Sequence, residues 1–185
     1  MRIVAGAWRG RTLAAPAGIA TRPTSDRVRQ ALFDMLLHAS WGGRDMMAGA
    51  CVLDAFAGTG AMGLEALSRG AKFSFFMERD RAALAALRAN VAACGATEKS
   101  RILAVDALAP PPGEACGLVF LDPPYGQGDV PRALVALGRA GWVAPGALLV
   151  AETGRAEILA LGTLLSERVH GAARVTVWRA GACFT

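Results

Sequence analysis

Residues 52–63 read VLDAFAGTGAMG, a run in which an apolar segment leads directly into a glycine-rich turn. Gly58, Gly60 and Gly63 have the spacing G-x-G-x-x-G, which follows a strand and opens a helix in nucleotide-binding folds. Glycine allows a tight turn and lets a ligand approach the backbone closely. The stretch therefore predicts the first strand, loop and helix of an α/β domain, although dinucleotide-binding enzymes share this spacing.

Strand and helix patterns alternate along most of the chain. This alternation predicts a doubly wound, mostly parallel sheet with helices on both faces. Near the end, two strand patterns joined by Gly171-Ala172 are typical of an antiparallel hairpin. Together these features resemble the class I (Rossmann-like) methyltransferase fold. The predicted strands are 51–56, 72–78, 101–105, 118–121, 147–152, 164–170 and 173–179, and the predicted helices are 26–38, 60–68, 80–94 and 130–139.

The positive charge is concentrated at the N-terminus. The chain of 185 residues has a formal net charge of +5, and residues 1–29 contain six arginines against one acid, Asp26. A basic segment on a neutral body favours an arm that faces a polyanion, while a merely solvated basic surface is the alternative. We expect a hairpin extension over residues 1–22 and a catalytic domain over 23–185. The candidate polyanion contacts are Arg9, Arg11, Arg22, Arg27 and Arg29.

Other sequence features exclude several protein classes. No apolar run approaches the ~18 residues of a membrane helix, and the N-terminal apolar stretch is too short for a signal peptide. We therefore expect a soluble cytoplasmic protein. No cysteine lies at metal-motif spacing from another cysteine or from a histidine, so we expect reduced thiols and no metal site. These residues are Cys51, Cys94, Cys116, Cys183, His38 and His170.

Three acidic residues at predicted strand ends indicate which cofactor the glycine loop binds. Asp54 precedes the loop, and its carboxylate would repel a pyrophosphate but suits the ammonium and sulfonium groups of S-adenosylmethionine. Glu78 could accept both ribose hydroxyls, and Asp106 could accept from the adenine amino group. Any one of these acids alone could equally be a helix cap or a loop residue. The predicted cofactor contacts are Asp54, Phe56, Gly58, Thr59, Gly60, Glu78, Asp106 and Ala107.

The motif Asp122-Pro123-Pro124-Tyr125 follows the fourth predicted strand and matches the D-P-P-[FYW] signature of amino-methyltransferases. An exocyclic base amine is a poor nucleophile because its lone pair is delocalised into the ring. Asp122 and the Pro123 carbonyl can each accept one N–H, which aims the lone pair at a methyl group. The prolines stiffen the loop, and Tyr125 offers a face for base stacking. These four residues are the predicted catalytic residues.

Three stretches besides the D-P-P-Y motif identify a family. They are residues 2–11, RIVAGAWRGR, residues 22–29, RPTSDRVR, and residues 54–69, DAFAGTGAMGLEALSR. With them the sequence resembles, over nearly its whole length, the RsmD family of bacterial 16S ribosomal RNA guanine-N2 methyltransferases. It implies S-adenosylmethionine as cofactor and a guanine N2 in 16S ribosomal RNA as target, within an assembling or assembled small subunit. We also expect the protein to act as a monomer.

Four other classes of protein share some of these sequence features. An adenine-N6 DNA methyltransferase would share the D-P-P-Y motif, but 185 residues leave little room for a target-recognition domain. Protein-glutamine methyltransferases usually carry Asn-Pro-Pro-Tyr instead. Asp54 and the Asp122 loop disfavour a NAD-dependent oxidoreductase. The intact catalytic motif disfavours a non-catalytic RNA-binding module.

Overall fold

A seven-stranded sheet organises the computed structural model, which describes residues 1–16, 25–124 and 128–181. The strand order is β3-β2-β1-β4-β5-β7-β6. The first five strands in this order are parallel, whereas β7 runs antiparallel to both β5 and β6. This confirms the predicted fold class. The strands are β1 Cys51–Asp54, β2 Phe73–Met77, β3 Ser100–Leu103, β4 Cys116–Leu121, β5 Val143–Gly154, β6 Thr163–His170 and β7 Ala173–Arg179.

Helices cover both faces of the sheet. Successive side chains of a strand point to opposite faces, so apolar residues on both faces need a covering layer. In β1, Val52 packs in one hydrophobic cluster with α1, α3 and α4, whereas Leu53 packs in a second cluster with α5. None of the helices in the described ranges is long and apolar enough to cross a membrane. The helices are α1 Asp26–His38, α2 Arg44–Gly49, α3 Ala61–Ser68, α4 Arg81–Ala93 and α5 Asp129–Arg139, with a 3-10 turn at Thr97–Lys99.

Helix α2 is the one α-helix in the described ranges that the sequence patterns did not predict. It has only six residues, and Met47 is its single buried side chain. Its N-cap, Gly43, has a φ of 131° and gives no side-chain hydrogen bond. A helix this short has neither the apolar period nor the capping signals on which prediction depends.

The order of the strands places a crevice at the carboxyl edge of the sheet. The chain runs outward from β1 to β3 and then returns to β4 on the other side of β1. The loops after β1 and β4 therefore diverge, which is where open α/β sheets bind ligands. The glycine loop follows β1 and the D-P-P segment follows β4, so both predicted motifs meet at this edge.

The N-terminal extension packs onto the sheet domain. Residues Arg2 and Thr12 form an isolated antiparallel bridge, and Leu13 N donates to Met1 O at 3.0 Å. The side chains of Ile3 and Leu13 are buried in the cluster that includes α1, α3 and α4. Residues 1–13 thus fold back on themselves as a small antiparallel hairpin, with a single bridge pair, as the sequence predicted. Whether residues 1–22 form a unit separate from the catalytic domain stays a proposal.

Arg29 belongs to a buried ion network, and its predicted role as a polyanion contact is wrong. Its side chain is 0% exposed, donates to Asp26 Oδ1 at 2.8 Å, and lies 3.6 Å from Glu65 Oε2. It also donates to the carbonyl of Arg2. A fully covered guanidinium cannot reach an RNA phosphate.

Glu65 of α3 is the centre of this network. It is fully buried, accepts from the backbone N–H groups of Val4 at 2.8 Å and Ala5 at 3.1 Å, and pairs with Arg69 at 2.7 Å. Buried charges persist only when they are paired and hydrogen-bonded. The Glu65 network therefore ties the N-terminal extension and α1 to α3, directly behind the glycine loop.

Replacement of Arg29 should destabilise the fold. Arg29→Ala leaves part of the buried charge of Glu65 unpaired, which should lower the free energy of unfolding by about 3 kcal/mol. Arg27→Ala, at an exposed position in the same turn of α1, should change it by less than about 0.5 kcal/mol. Urea denaturation followed by circular dichroism measures both. Equal stability of the two variants would contradict the network.

Candidate active site

A cavity of about 710 Å³ opens between the glycine loop and the D-P-P segment. It is acidic, because six acidic residues line it and only two arginines do, Arg79 at the rim and Arg29, whose guanidinium is buried in the ion network. Such a lining favours a cationic ligand and disfavours a phosphate. The lining carboxylates are Asp54, Glu78, Asp80, Asp106, Asp122 and Asp129.

The three loop glycines have different physical roles. Gly58 has a φ of 53°, and a Cβ built there meets nothing within 4 Å, so its backbone faces open space in the cavity wall. Gly60 has a φ of 79° and caps α3. A Cβ on Gly63 would lie 2.3 Å from Phe76 Cε1, which shows that this glycine permits close packing of α3 on the sheet.

Most of the predicted cofactor contacts line the cavity. Gly60 does not line the cavity. It packs against α4, where a Cβ added at Gly60 would lie 2.4 Å from Leu87 Cδ1. The predicted contacts that the structure brings together are Asp54, Phe56, Gly58, Thr59, Glu78, Asp106 and Ala107.

Asp54 is the most perturbed acid of the cavity. It is 3% exposed, and its Oδ2 accepts from Gly63 N at 3.0 Å. Burial raises the pKa of Asp54 to about 7; the Gly63 N–H opposes this rise, and the nearby Glu78 adds to it. The site therefore holds a carboxylate whose ionisation is costly until a cation approaches it.

Glu78 holds the backbone around the mouth of the cavity. Its Oε2 accepts from Gly58 N at 2.8 Å, and its Oε1 accepts from Arg79 N at 2.8 Å and Asp80 N at 2.7 Å. The carboxylate thus connects the end of β2, the start of α4 and the glycine loop. Glu78 also lines the cavity.

Asp106 and Arg79 form an ion pair at the rim that sequence patterns did not reveal. Arg79 Nη1 donates to Asp106 Oδ2 at 2.6 Å, and Leu108 N donates to Asp106 Oδ1 at 2.9 Å. The Leu108 N–H and then Arg79 lower the pKa of Asp106. This acid is held in its charged form with both oxygens engaged.

Asn90 is a second residue that the sequence analysis missed. It is 2% exposed on α4 and donates to Thr59 O of the glycine loop at 2.9 Å. It also donates to Ala14 O at 3.1 Å and accepts from Ala14 N at 2.7 Å. A buried asparagine inside an alanine-rich helix is the signal that could have identified it, because buried amides need partners.

The D-P-P segment begins where β4 ends, at Leu121. Asp122 and Pro123 line the cavity, with Asp122 half-buried and Pro123 buried, and Pro124 lines it from an exposed position. The structure thus brings these three predicted catalytic residues to the same cavity as the glycine loop. Tyr125 lies outside the described residues.

Three of the predicted polyanion contacts are exposed. Arg9, Arg11 and Arg27 lie at the surface but do not line the cavity. Arg22 lies outside the described residues. A role of the three exposed arginines in binding RNA stays a prediction.

Comparison with known proteins identifies close relatives. A family model described as "Conserved hypothetical protein 95" matches residues 1–179. The chain is 37% identical over 177 residues to ribosomal RNA small subunit methyltransferase D of Escherichia coli K12, covering 92% of this chain and 85% of that protein. It is 35% identical over 182 residues to the protein of that name from Haemophilus influenzae, covering 92% and 89% respectively.

A solved structure shows the same fold. The putative methyltransferase yhhF from Escherichia coli superposes with a TM-score of 0.83 at 35% sequence identity. The match covers 98% of each chain. The N-terminal extension and the sheet are therefore both within the compared region.

The buried carboxylate of Asp54 should make stability depend on pH. In the unfolded chain an aspartate ionises near pH 4, but Asp54 in the fold ionises only near pH 7. The fold should therefore lose stability as pH rises through this window. Asp54→Asn keeps an oxygen for Gly63 N and removes the charge, so it should gain roughly 3–4 kcal/mol relative to wild type between pH 4 and pH 8.

Urea denaturation at a series of pH values measures this difference. Asp45→Asn, which removes an exposed carboxylate from α2, serves as the control. A gap between wild type and Asp54→Asn that stays constant with pH would contradict the raised pKa.

Proposed function

The chain belongs to the family described as conserved hypothetical protein 95, that of ribosomal RNA small subunit methyltransferase D, and we propose that it methylates the N2 amine of a guanine in 16S ribosomal RNA. One observation carries this proposal. The acidic crevice after β1 and the Asp122-Pro123-Pro124 segment after β4 open into the same cavity. A cationic methyl donor and an amine acceptor can therefore meet there.

The residues of the crevice fit S-adenosylmethionine. The open space above Gly58 leaves room for the ligand against the backbone, Asp54 suits its ammonium group, and Glu78 suits its ribose hydroxyls. Asp106 or the backbone beside Ala107 suits the adenine. When bound, this cofactor supplies an electrophilic methyl group on a sulfonium. A dinucleotide fits less well, since its pyrophosphate would lie among these carboxylates.

Asp122 and Pro123 orient the target amine. An Asp122 oxygen and the Pro123 carbonyl each accept one N–H of the exocyclic nitrogen, which directs its lone pair into the cavity. The two prolines limit the freedom of the loop, so these acceptors need little reorganisation. This neutral amine would accept the methyl group of the bound cofactor, with the S–CH3 bond exchanged for an N–CH3 bond and the sulfur left as a thioether. The methylated nitrogen would then lose one proton to solvent. Tyr125 completes the site by stacking on the base.

The exposed arginines extend the site towards RNA. Arg9 and Arg11 belong to the N-terminal extension, which Asn90 links to the glycine loop through Ala14. We place phosphate contacts at Arg9, Arg11, Arg22 and Arg27. The substrate of the proposal is 16S ribosomal RNA in an assembling or assembled small subunit, with the enzyme acting as a monomer in the cytoplasm.

Loss of Asp122 should remove turnover and spare cofactor binding. Asp122→Ala deletes an acceptor that the transferring nitrogen needs, so kcat should fall by about 100-fold or more. Small subunits from a strain lacking the homologous enzyme serve as substrate, and mass spectrometry of nucleosides identifies the product. Affinity for S-adenosylhomocysteine, measured by calorimetry, should stay within about threefold of wild type.

Asp45→Ala on α2 is the matched control and should behave as wild type in both measurements. The orienting role fails if Asp122→Ala keeps its rate within tenfold. The proposed function itself fails if the wild type forms no N2-methylguanosine.

The N-terminal arginines should govern the salt dependence of RNA binding. Each phosphate contact contributes close to one unit to the slope of log affinity against log salt. The double variant Arg9→Ala, Arg11→Ala should therefore flatten the slope by roughly 1.4 to 1.8. The control is Arg101→Ala, Arg139→Ala, which removes two exposed arginines outside the N-terminal extension, one on β3 and one at the end of α5. Equal slopes for both double variants would place the phosphate contacts elsewhere.

A further inference from the structure

Two more carboxylates lie beside the D-P-P segment and have no role in the chemistry described above. Asp129, the first residue of α5, has a side chain only 8% exposed that lines the main cavity and pairs with Arg132 at 2.7 Å. Glu152 of β5 lines a smaller hollow, which shares Pro123, Pro124 and Asp129 with the main cavity. The part of the site that surrounds the D-P-P segment is therefore rich in hydrogen-bond acceptors.

Strand register places Glu152 next to Asp122. Leu121 of β4 pairs with Ala151 of β5 in parallel register, so Asp122 and Glu152 occupy the next positions along the two strands. Neighbouring strands lie about 4.8 Å apart. The longer side chain of Glu152 can thus reach the space beside the amine acceptors, on the side of β5.

The hydrogen-bonding edge of the target base explains what a second carboxylate can do there. In guanine, the N2 amine is flanked by N1–H, a donor, on one side and by N3, an acceptor, on the other. In adenine and cytosine, the exocyclic amine is flanked by one unprotonated ring nitrogen, an acceptor, and by a carbon. A carboxylate on the N1 side of the amine site accepts the guanine N1–H but repels the lone pair of adenine N1 or cytosine N3.

We propose that Glu152 is a specificity-determining residue that accepts the N1–H of the target guanine while Asp122 and Pro123 hold its N2 amine. This inference rests on the proposed function and assigns base selection within that site. Asp129 is oriented by Arg132 from α5, whereas Glu152 stands in register with the catalytic acid.

A base substitution removes the N1–H from the target. 2-Aminopurine keeps the 2-amino group of guanine but has an unprotonated N1 and no O6, so the change of the ratio in the Glu152 variant, and not the wild-type ratio alone, assigns the N1–H contact. Substrate RNA is prepared with guanine or 2-aminopurine at the target position, in whichever form, naked or assembled, the wild type methylates. The ratio of kcat/KM for the two bases is then measured for wild type, Glu152→Ala, Asp129→Ala and the control Glu157→Ala, which alters another carboxylate residue of the same hollow.

The wild type should prefer guanine by about tenfold or more, since a site built to bind a donor rejects an analogue that lacks it. Glu152→Ala should lose activity on guanine but not on 2-aminopurine, which brings the ratio close to one. Glu157→Ala and Asp129→Ala should keep the wild-type ratio. A merely structural role for Glu152 would lower both rates equally and leave the ratio unchanged.

The outcomes separate the two proposals. A wild type that methylates guanine N2 without preferring guanine, or a Glu152→Ala variant that keeps the preference, overturns the assignment of Glu152 alone. If Asp129→Ala loses the preference for guanine over 2-aminopurine, Asp129 rather than Glu152 accepts the N1–H, and the assignment of Glu152 is overturned. A wild type that methylates adenine or cytosine, or no guanine N2 at all, overturns the proposed function together with this inference.

Discussion

The hydrogen bond from Gly63 N to the buried carboxylate of Asp54 is the contact on which the rest of the site depends. It joins the end of β1 to the start of α3 and closes the glycine loop between them. Because Asp54 is almost fully covered, the loop encloses a carboxylate that only a cation can fully stabilise. The same join leaves Gly58 facing the cavity, with Glu78 fixing its N–H from the next strand.

Hydrogen bonds and ion pairs between residues far apart in sequence fix the elements around the glycine loop. Glu65 ties the N-terminal extension to α3 through the N–H groups of Val4 and Ala5 and through two arginines. Asn90 ties Ala14 to the carbonyl of Thr59. The extension that carries Arg9 and Arg11 is thereby fixed to the back of the cofactor loop, so the RNA contacts proposed above would share one framework with the cavity.

Sequence patterns could predict the sheet and the cavity because both follow local rules. The glycine loop and the D-P-P motif each follow directly after a strand in the sequence. Because the strands are parallel, their carboxyl ends bring both motifs to the same edge of the sheet. Burial of charge was not predictable in the same way. Arg29 was assigned to the surface, yet it shares the helical spacing of the buried Leu32, Phe33 and Leu36, which marks the inner face of α1. Its partner Glu65 lies in another element, so only the tertiary structure reveals the pair.

If the acidic crevice recognises a cationic cofactor through Asp54, binding of that cofactor releases a proton, and this release can be measured directly. Calorimetric titration of S-adenosylmethionine at about pH 6.5, in buffers of different ionisation enthalpy, counts the protons exchanged. At this pH the cofactor's own amine is already protonated, whereas Asp54 is largely neutral until the ligand arrives. The account predicts release of most of one proton by wild type and none by Asp54→Asn. Binding by wild type without proton release would contradict it.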